Sequence, residues 1–278
     1  LYSLMTYGTI AVDYEKGWVK MVDLNKKILE TALLAGQIMT ESNAESYRVE
    51  DTMNRILTTS NAAYAVAISL STGLYMTLDD PSFEGSGFTG IKRITRRSNN
   101  LNKITQVNHI SRELTSGNIS IDEAYERLQV LRFQKPQYSK LQVSIGVVGL
   151  AAAFSFLFGG GINELIMSSV NGLILALLYR LMDKYYISEG FSNIIQALVV
   201  TVAAYLMQAY VLSNTDINIV IISTLMPMVP GTALTNSFRD IFHEDYIAGV
   251  SRATEAFLNA LMIALGAALG LALIGGLY

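Results

Sequence analysis

Residues 191–212, FSNIIQALVVTVAAYLMQAYVL, form an apolar stretch without a single charged residue. A helix needs about 20 consecutive apolar residues to cross the hydrocarbon core of a bilayer. Other stretches of similar character surround this one, and together they predict five transmembrane helices at 139–159, 164–182, 191–212, 217–236 and 248–277. The alternative is a hydrophobic bundle of soluble helices.

Charge is concentrated in the first half of the chain. Residues 1–140 contain 16 of the 20 Lys and Arg residues and 15 of the 23 Asp and Glu residues, so the two halves are unlike. The sequence therefore predicts an N-terminal extension at 1–22, an α+β domain at 23–138 and a transmembrane domain at 139–278. The chain has no Cys and two His residues, and neither a disulfide, a metal site nor a cofactor is predicted.

Lys and Arg residues alternate from one side of the predicted spans to the other. They precede span one, follow span two and flank the loop after span four, at Arg132, Lys135, Lys140, Arg180, Lys184, Arg239 and Arg252. The connections 159–163 and 213–216 have none. Because cytoplasmic loops carry the excess of Lys and Arg, residues 1–138 are predicted to be cytoplasmic and the C-terminus to lie outside.

The sequence predicts the order of helices and strands in the α+β domain. Asp23–Glu41 shows an amphipathic helical pattern, with Ile28, Ala32, Ala35 and Met39 on one face. The further predicted elements are helices at 44–58, 101–115 and 120–133, with a capping box at Ser120 and Glu123, and strands at 64–70, 74–77 and 88–95.

Two local patterns in this domain do not support common activities. Gly85-Ser-Gly-Phe-Thr-Gly90 matches G-x-G-x-x-G, but a strand follows it where a dinucleotide site needs a helix. Lys92-Arg93 and Arg96-Arg97 lack interleaved aromatic residues, so a solvated strand edge or contact with lipid phosphates is favoured over nucleic acid. No nucleophile and base can be assembled, and the chain is not predicted to be an enzyme.

Span four contains helix-breaking residues where a helix is required. Pro227 lies about 15 Å into the span, near the bilayer midplane. Pro227 and Pro230 cannot donate backbone hydrogen bonds, Gly231 loosens the chain, and Thr232 is expected to cap a second half-helix. Half-helix ends that meet at the midplane attract carboxylate and ammonium groups. The alternative is a proline kink satisfied by neighbouring helices.

The pattern therefore predicts a site for a small solute that carries a carboxylate. The predicted substrate-binding residues are Ser223, Thr224, Pro227, Pro230, Gly231, Thr232, Thr235 and Asn236. Asp240 or Glu255 is expected to carry a proton, with Arg239 and Arg252 as charge partners, because carboxylates at membrane depth have this role. Alternatively, Glu255 is shallow and paired with Arg252.

Other features of the spans predict contacts between helices. Asn171, Gln196, Gln208 and Asn259 are expected to form interhelical hydrogen bonds. In span five, small residues recur at every fourth position, which predicts a face for close packing; they are Ala256, Ala260, Ala264, Ala268 and the pair Gly266 and Gly270. Gly146 and Gly149 in span one are weaker examples.

Two segments resemble the threonine/serine exporter family. They are MPMVPGTALTNSFRDIFHEDYIAGVSRATEAFLNALMIALG near the C-terminus and LAGQIMTESNAESYRVEDTM near the N-terminus. The resemblance covers about 23–277, and it most closely matches the YjjP-like chain, a cytoplasmic domain plus five spans that pairs with a small YjjB-like membrane chain. It implies proton-driven export of threonine and serine, or of succinate-type dicarboxylates. The family's Pro-Gly span corresponds to Pro227, Pro230, Gly231, Thr232, Asn236 and Asp240, and its N-terminal motif to Glu45, Arg48, Val49, Glu50 and Thr52. Asn43 departs from an expected glycine.

The resulting hypothesis is a secondary exporter subunit in the inner membrane of a bacterium. It would act with a second small membrane subunit, YjjB-like, or as a homo-oligomer, on a small carboxylate-bearing solute and without nucleic acid. A membrane scaffold or regulatory subunit whose cytoplasmic domain binds a partner is the first alternative. A membrane-anchored hydrolase is the second, and the missing nucleophile argues against it.

Overall fold

The computed structural model describes residues 24–60, 62–80 and 87–275, which are mostly helical. These residues divide into two compact units. The sheet unit contains the described residues up to Gln134 together with Thr235–Arg252. The helical unit contains Lys135–Leu234 and the described residues from Ala253 onward. The predicted extension at 1–22, Asp23 and Gly85 lie outside the described residues, and the predicted domain boundaries stay predictions.

Helices surround a small sheet in the first unit. Its elements are helix α1 (24–41), helices α2 (Ser46–Leu57), α3 (Leu101–Thr115) and α4 (Ile121–Phe133), and strands β1 (Tyr64–Leu70), β2 (Gly73–Asp79) and β3 (Phe88–Arg93). The strands form one antiparallel sheet in the order β1-β2-β3. The predicted strands and helices of this region are thus present, with ends that differ by up to two residues.

One face of α1 packs into the core, as its apolar periodicity predicts. Ile28, Ala32, Ala35 and Met39 are at most 2% exposed. Gly90 in β3 lies against this helix, because a Cβ atom there would approach Leu29 Cδ2 to 2.9 Å. The last glycine of the G-x-G-x-x-G pattern therefore serves close packing between β3 and α1, and a strand follows the pattern as expected.

Helix α2 covers the outer edge of β1. The Ser69 N–H donates to Glu50 Oε1 at 2.7 Å, and the Ala67 N–H donates to Asn54 Oδ1 at 2.9 Å. These amides point away from β2 and would otherwise remain open for pairing with another strand. Glu50 is thus fixed by the edge of the sheet.

The predicted capping box at the start of α4 is half formed. Ser120 Oγ accepts from the Glu123 N–H at 3.2 Å. The Glu123 carboxylate accepts from Arg127 Nη2 at 2.5 Å, four residues along the helix, which directs it away from the helix start. A capping box with both hydrogen bonds occurs at Ser139 and Gln142 before the next helix.

The helical unit begins with three long apolar helices. They are α5 (Lys140–Leu157), α6 (Ile162–Lys184) and α7 (Glu189–Tyr210), and the unit also holds α8 (Ile217–Leu225). Helices α9 (Gly231–Phe242) and α10 (Tyr246–Gly275) each contribute residues to both units. Four helices are long and apolar enough to cross a membrane, and α8 with α9 forms a fifth candidate span that is bent by 56°. The described chain therefore has four or five candidate spans, which supports a helical membrane protein.

Glycines bring α10 into close contact with α7. A Cβ atom at Gly266 would collide with the Ile194 carbonyl oxygen, and one at Gly270 would lie 2.9 Å from Thr201 Cβ. Of the predicted alanine stripe only Ala256 is buried within the described residues, and for the other three alanines the predicted packing face stays a prediction. A strict four-residue repeat drifts around a helix of 3.6 residues per turn, so its later members turn away from the contact. At Gly146 and Gly149 in α5 no described atom lies within 4 Å of an added Cβ atom, so they are not packing sites within this chain.

Candidate functional site

The predicted break in span four is present. Helix α8 ends at Leu225, a 3-10 turn covers Met226–Met228, and α9 begins at Gly231. Val229 between them is extended, with φ −63° and ψ 127°. Pro227 lies in the turn and Pro230 directly before α9, where prolines interrupt the backbone hydrogen bonds of a helix.

Thr232 does not cap the second half-helix, contrary to the prediction. The Pro230 carbonyl accepts the Leu234 N–H at 3.1 Å, so the capping position belongs to Pro230 and Thr232 lies inside the first turn. Pro230 has no side-chain acceptor, so at this position a backbone carbonyl accepts the first helical hydrogen bond. Gly231, Thr232 and Thr235 are exposed, with Thr235 counted in the sheet unit.

Ser223 and Thr224 lie in the last turn of α8 and are completely buried. Their hydroxyl groups donate to the carbonyl oxygens of Ile219 and Val220, at 2.6 and 2.8 Å. Such bonds to the preceding turn satisfy a hydroxyl inside a membrane helix. Thr224 Oγ1 also accepts from Asn171 Nδ2 at 3.3 Å.

Asn171 in α6 is a central polar residue that the sequence identified only as an interhelical contact. Its side chain is 0% exposed, and Nδ2 donates to the Val200 carbonyl in α7 at 2.9 Å as well as to Thr224. The expected interhelical hydrogen bond is therefore present and joins three helices. Apolar residues pack one turn away in a cluster of Met167, Ala204 and Val220.

Several buried oxygens in the helical unit have no hydrogen-bond partner among the described residues. They belong to Ser155, Ser168, Asn171, Gln196 and Thr201, whose side chains are at most 1% exposed. Buried polar groups in proteins are nearly always hydrogen-bonded, and those that are not require an explanation. No sequence pattern distinguishes these residues from polar residues that are satisfied.

A second polar cluster lies within the sheet unit, and it unites the two segments that carry the family resemblance. Asp240 Oδ1 accepts from the Ser46 N–H at 2.8 Å, which places a carboxylate at the positive N-terminal end of α2. Asp240 Oδ2 lies 3.3 Å from Arg252 Nε, and Arg252 Nη2 donates to the Ala44 carbonyl at 2.8 Å. Asp240 and Arg252 are 0% and 1% exposed.

Glu45 extends this cluster. Its carboxylate contacts Arg239 Nη1 at 2.7 Å and Arg48 Nη1 at 3.0 Å. Asn236 Nδ2 in α9 donates to the Asn43 carbonyl at 2.9 Å and thereby also binds the turn before α2. Asn43 has φ 64°, a left-handed conformation that favours glycine and that Asn tolerates better than most residues.

The two carboxylates of the N-terminal motif differ in acidity. Burial of Glu45 opposes ionisation, but its own backbone N–H and the guanidinium groups of Arg239 and Arg48 outweigh that effect and lower its pKa. Burial raises the pKa of Glu50; the Ser69 N–H opposes the rise, and the Asp245 and Asp240 carboxylates add to it. Compared with an exposed carboxyl group, the fold therefore favours ionisation of Glu45 and opposes ionisation of Glu50.

The structure thus brings some predicted site residues together and leaves others apart. Six of them meet in the sheet unit: Asn236, Arg239, Asp240, Arg252, Glu45 and Arg48. In the helical unit Thr224 bonds Asn171, and Ser223 bonds the Ile219 carbonyl within α8. Glu255 is exposed on α10. The roles of these residues in binding and coupling stay predictions. Among the described residues no three His, Asp or Glu side chains come together as metal ligands.

Comparison with known proteins identifies relatives for most of the chain. Residues 30–274 match the family described as "Putative threonine/serine exporter". The chain is 21% identical over 248 residues to a protein of Mycobacterium tuberculosis (strain ATCC 25618 / H37Rv) named "Probable threonine/serine exporter", which covers 87% of this chain and 44% of that protein.

A second relative is "Pheromone-regulated membrane protein 10" of Pichia sorbitophila. It is 25% identical over 184 residues, which cover 64% of this chain and 18% of that protein. The chain thus spans less than half the length of these two relatives. No solved structure matches it.

Proposed function

The chain belongs to the threonine/serine exporter family, and we propose that it is a subunit of a proton-driven secondary exporter of small carboxylate-bearing metabolites. The exported solute would be threonine and serine, or a succinate-type dicarboxylate. The observation that carries the proposal is the 56° bend between α8 and α9 inside an apolar segment. Half-helix ends next to an interrupted backbone are the binding elements of many secondary transporters.

The chemistry of the bend supports the binding of a charged solute. Pro227 has no N–H to donate to the Ser223 carbonyl, so that oxygen keeps acceptor capacity at the end of α8. The first amides of α9 form a positive helix end with Gly231 and Thr232 in its first turn. A carboxylate at the amide end and an ammonium group at the carbonyl end would complement these partial charges.

We place the coupling proton on the acidic residues of α9 and α10. Asp240 is buried beside Arg252, and Glu255 is exposed on α10 three residues further along. A carboxylate in or near a membrane span can bind and release a proton during transport. Arg239 and Arg252 would hold the compensating positive charge.

We further propose that the chain acts in the inner membrane of a bacterium with its N-terminus in the cytoplasm and its C-terminus outside. The alternation of Lys and Arg between spans supports this orientation. Four or five spans make a small transporter unit, so a second small membrane subunit or a further copy of the chain is the proposed partner.

The test is efflux from membrane vesicles that contain the full chain with its partner and are preloaded with labelled threonine, serine or succinate. Replacing both prolines, as P227A/P230A, is expected to abolish efflux at unchanged membrane insertion. Pro136→Ala is the matched control, because Pro136 lies before α5 and outside the bend. A protonophore is expected to stop efflux by the wild type.

Two results would contradict the proposal. Efflux that survives P227A/P230A would make the bend a packing kink, and efflux that survives the protonophore would exclude proton coupling. If the wild type with its partner exports none of the three solutes, the alternative function, a membrane scaffold or regulatory subunit, is favoured over export.

A further inference from the structure

Asn171 lies halfway along the helical unit. It is about 14 Å from one end of α6 and about 20 Å from the other at 1.5 Å per residue. Its partner Val200 lies about 16 Å from the start of α7, and Thr224 is in the last turn of α8 beside the bend. Burying a polar side chain at this depth costs free energy, and polar residues inside membrane spans often mark a functional site.

The orientation of the Asn171 amide leaves its oxygen, Oδ1, without a hydrogen-bond donor among the described residues. Both bonds of Nδ2 are in use, to the Val200 carbonyl and to Thr224 Oγ1. Turning the amide around would place its oxygen against the Val200 carbonyl, so the arrangement is fixed. Asn171 Oδ1 then stays buried without a partner among the described residues, which is unfavourable for a polar group.

Further unpartnered oxygens lie at other depths of the same core. Ser168 precedes Asn171 by one turn of α6, and Gln196 precedes Val200 by one turn of α7. Ser155 is close to the end of α5. Along the helices these side chains follow one another at intervals of about one to two turns, or roughly 5 to 10 Å.

Contact between helices alone does not account for this series. Asn171 Nδ2 makes the interhelical hydrogen bonds, and Gln196 Nε2 donates to Ser192 Oγ at 2.7 Å within α7, so both amide nitrogens have partners. The remaining groups in this unit are two amide oxygens, which only accept, and the hydroxyl groups of Ser155, Ser168 and Thr201. Buried acceptors inside membrane helices suit a group that donates hydrogen bonds.

We propose that the solute path runs through the core of the helical unit past Ser155, Ser168, Asn171 and Gln196, and that Asn171 Oδ1 binds the ammonium group of an amino acid. An ammonium group brings three donors, and a threonine or serine hydroxyl brings a fourth. A fully ionised dicarboxylate brings none, so the path favours a zwitterionic amino acid over a succinate-type solute. This inference rests on the proposed export function and specifies its substrate class.

The absence of cysteine from the sequence allows a direct test. Single Ser168→Cys, Asn171→Cys and Gln196→Cys variants of the full chain, with its partner in membrane vesicles, are treated with a small charged thiol reagent. Ser169→Cys is the matched control: it has the same depth, but its hydroxyl already donates to the Leu165 carbonyl at 2.7 Å. Leu173→Cys, 50% exposed on the outer face of α6, reports on a surface that lipid would cover.

We expect the three core cysteines to be labelled from water and the two control cysteines not to be. Threonine at ten times its Kd is expected to slow the labelling of Ser168→Cys and Gln196→Cys about tenfold, because a bound solute protects its site by mass action. Asn171→Cys lacks the proposed acceptor, so its labelling is expected to be unprotected. Succinate is expected to give no protection.

Labelling is read by mass and does not depend on transport. Core cysteines that stay unlabelled in variants that still export would show that the path lies elsewhere while export stands. Protection by succinate and not by threonine would overturn the substrate class. Core labelling protected by threonine, in a chain that exports nothing, would support the binding path and refute export. Should Asn171→Cys fail to insert, the Ser168 and Gln196 variants decide the result.

Discussion

The Asp240 carboxylate and the Arg252 guanidinium lie 3.3 Å apart, and their side chains are 0% and 1% exposed. The other carboxylate oxygen accepts from the Ser46 N–H, and the guanidinium also donates to the Ala44 carbonyl. The ends of α9 and α10 are thereby tied to the start of α2. The two opposite charges are thus buried next to each other.

Removal of one charge should therefore destabilise the protein strongly. Asp240→Asn is expected to lower the free energy of unfolding by about 3 to 5 kcal/mol, because it removes one charge of a buried ion pair. Asp183→Asn is the control: Asp183 and Lys140 are also 3.3 Å apart but 70% and 78% exposed, and no measurable change is expected. Thermal unfolding of the purified full chain in detergent measures both.

A double variant separates charge from shape at this pair. Asp240→Leu with Arg252→Met removes both charges and should recover part of the stability that Asp240→Asn loses. A loss in Asp240→Asn no larger than that in Asp183→Asn would show that the buried pair contributes nothing special.

Glu45 and Glu50 should respond to pH in opposite directions. The pKa of Glu45 is lowered in the folded state, so its stabilising effect is present above the unfolded value of 4.5 and is lost as the pH falls through the folded pKa. The pKa of Glu50 is raised, so its stabilising effect is present below 4.5 and is lost as the pH rises through the folded pKa.

Neutral amides at the two positions test this difference. At pH 7 Glu45→Gln is expected to destabilise, whereas Glu50→Gln is expected to stabilise, since its amide oxygen can still accept the Ser69 N–H. Both differences from wild type should shrink in acid. Denaturant unfolding measured from about pH 3 to pH 8 gives the comparison. Parallel pH profiles for the two variants would contradict the assigned shifts.

Local patterns in the sequence predicted most of the fold. The buried face of α1 follows from a 3.6-residue period, and the interrupted span follows from two prolines and a glycine. Asp240, Arg239 and Arg252 could be selected because charge is rare in that half of the chain. Their partners could not, because Ser46 and Asp240 are 194 positions apart and no local pattern records such a contact.

The errors also have physical causes. Thr232 was predicted to cap α9, but the helix begins at Gly231 because its first hydrogen bond already runs from the Leu234 N–H to the Pro230 carbonyl. Asn171 was identified as a helix contact, and the sequence contained no sign that its oxygen would be left without a partner. That property depends on how three helices come together.

The glycines of α10 and α5 give a packing test within the helical unit. Gly266→Ala is expected to destabilise by about 1 to 3 kcal/mol, because the added methyl group meets the Ile194 carbonyl. Gly149→Ala should be neutral or up to about 1 kcal/mol more stable, since no described atom lies within 4 Å of the new methyl group and alanine favours a helix. Thermal unfolding of the two variants measures the contrast, and equal values would contradict the close contact between α10 and α7.

Asn171 should matter far more for transport than for stability. Asn171→Leu loses two hydrogen bonds, which average only about 0.6 kcal/mol each in membrane proteins, and it also removes the unpartnered oxygen. Its unfolding temperature should stay close to that of the wild type, while threonine efflux is lost.

Gln208→Leu is the control, because Gln208 also bonds a carbonyl, that of Thr215 at 2.8 Å, but lies near the end of α7. Efflux that is equal in the two variants would reduce Asn171 to a contact between helices. A rise in the KM for threonine in a conservative Asn171→Gln variant, at unchanged stability, would instead show that the amide oxygen must be held at this position to bind the solute.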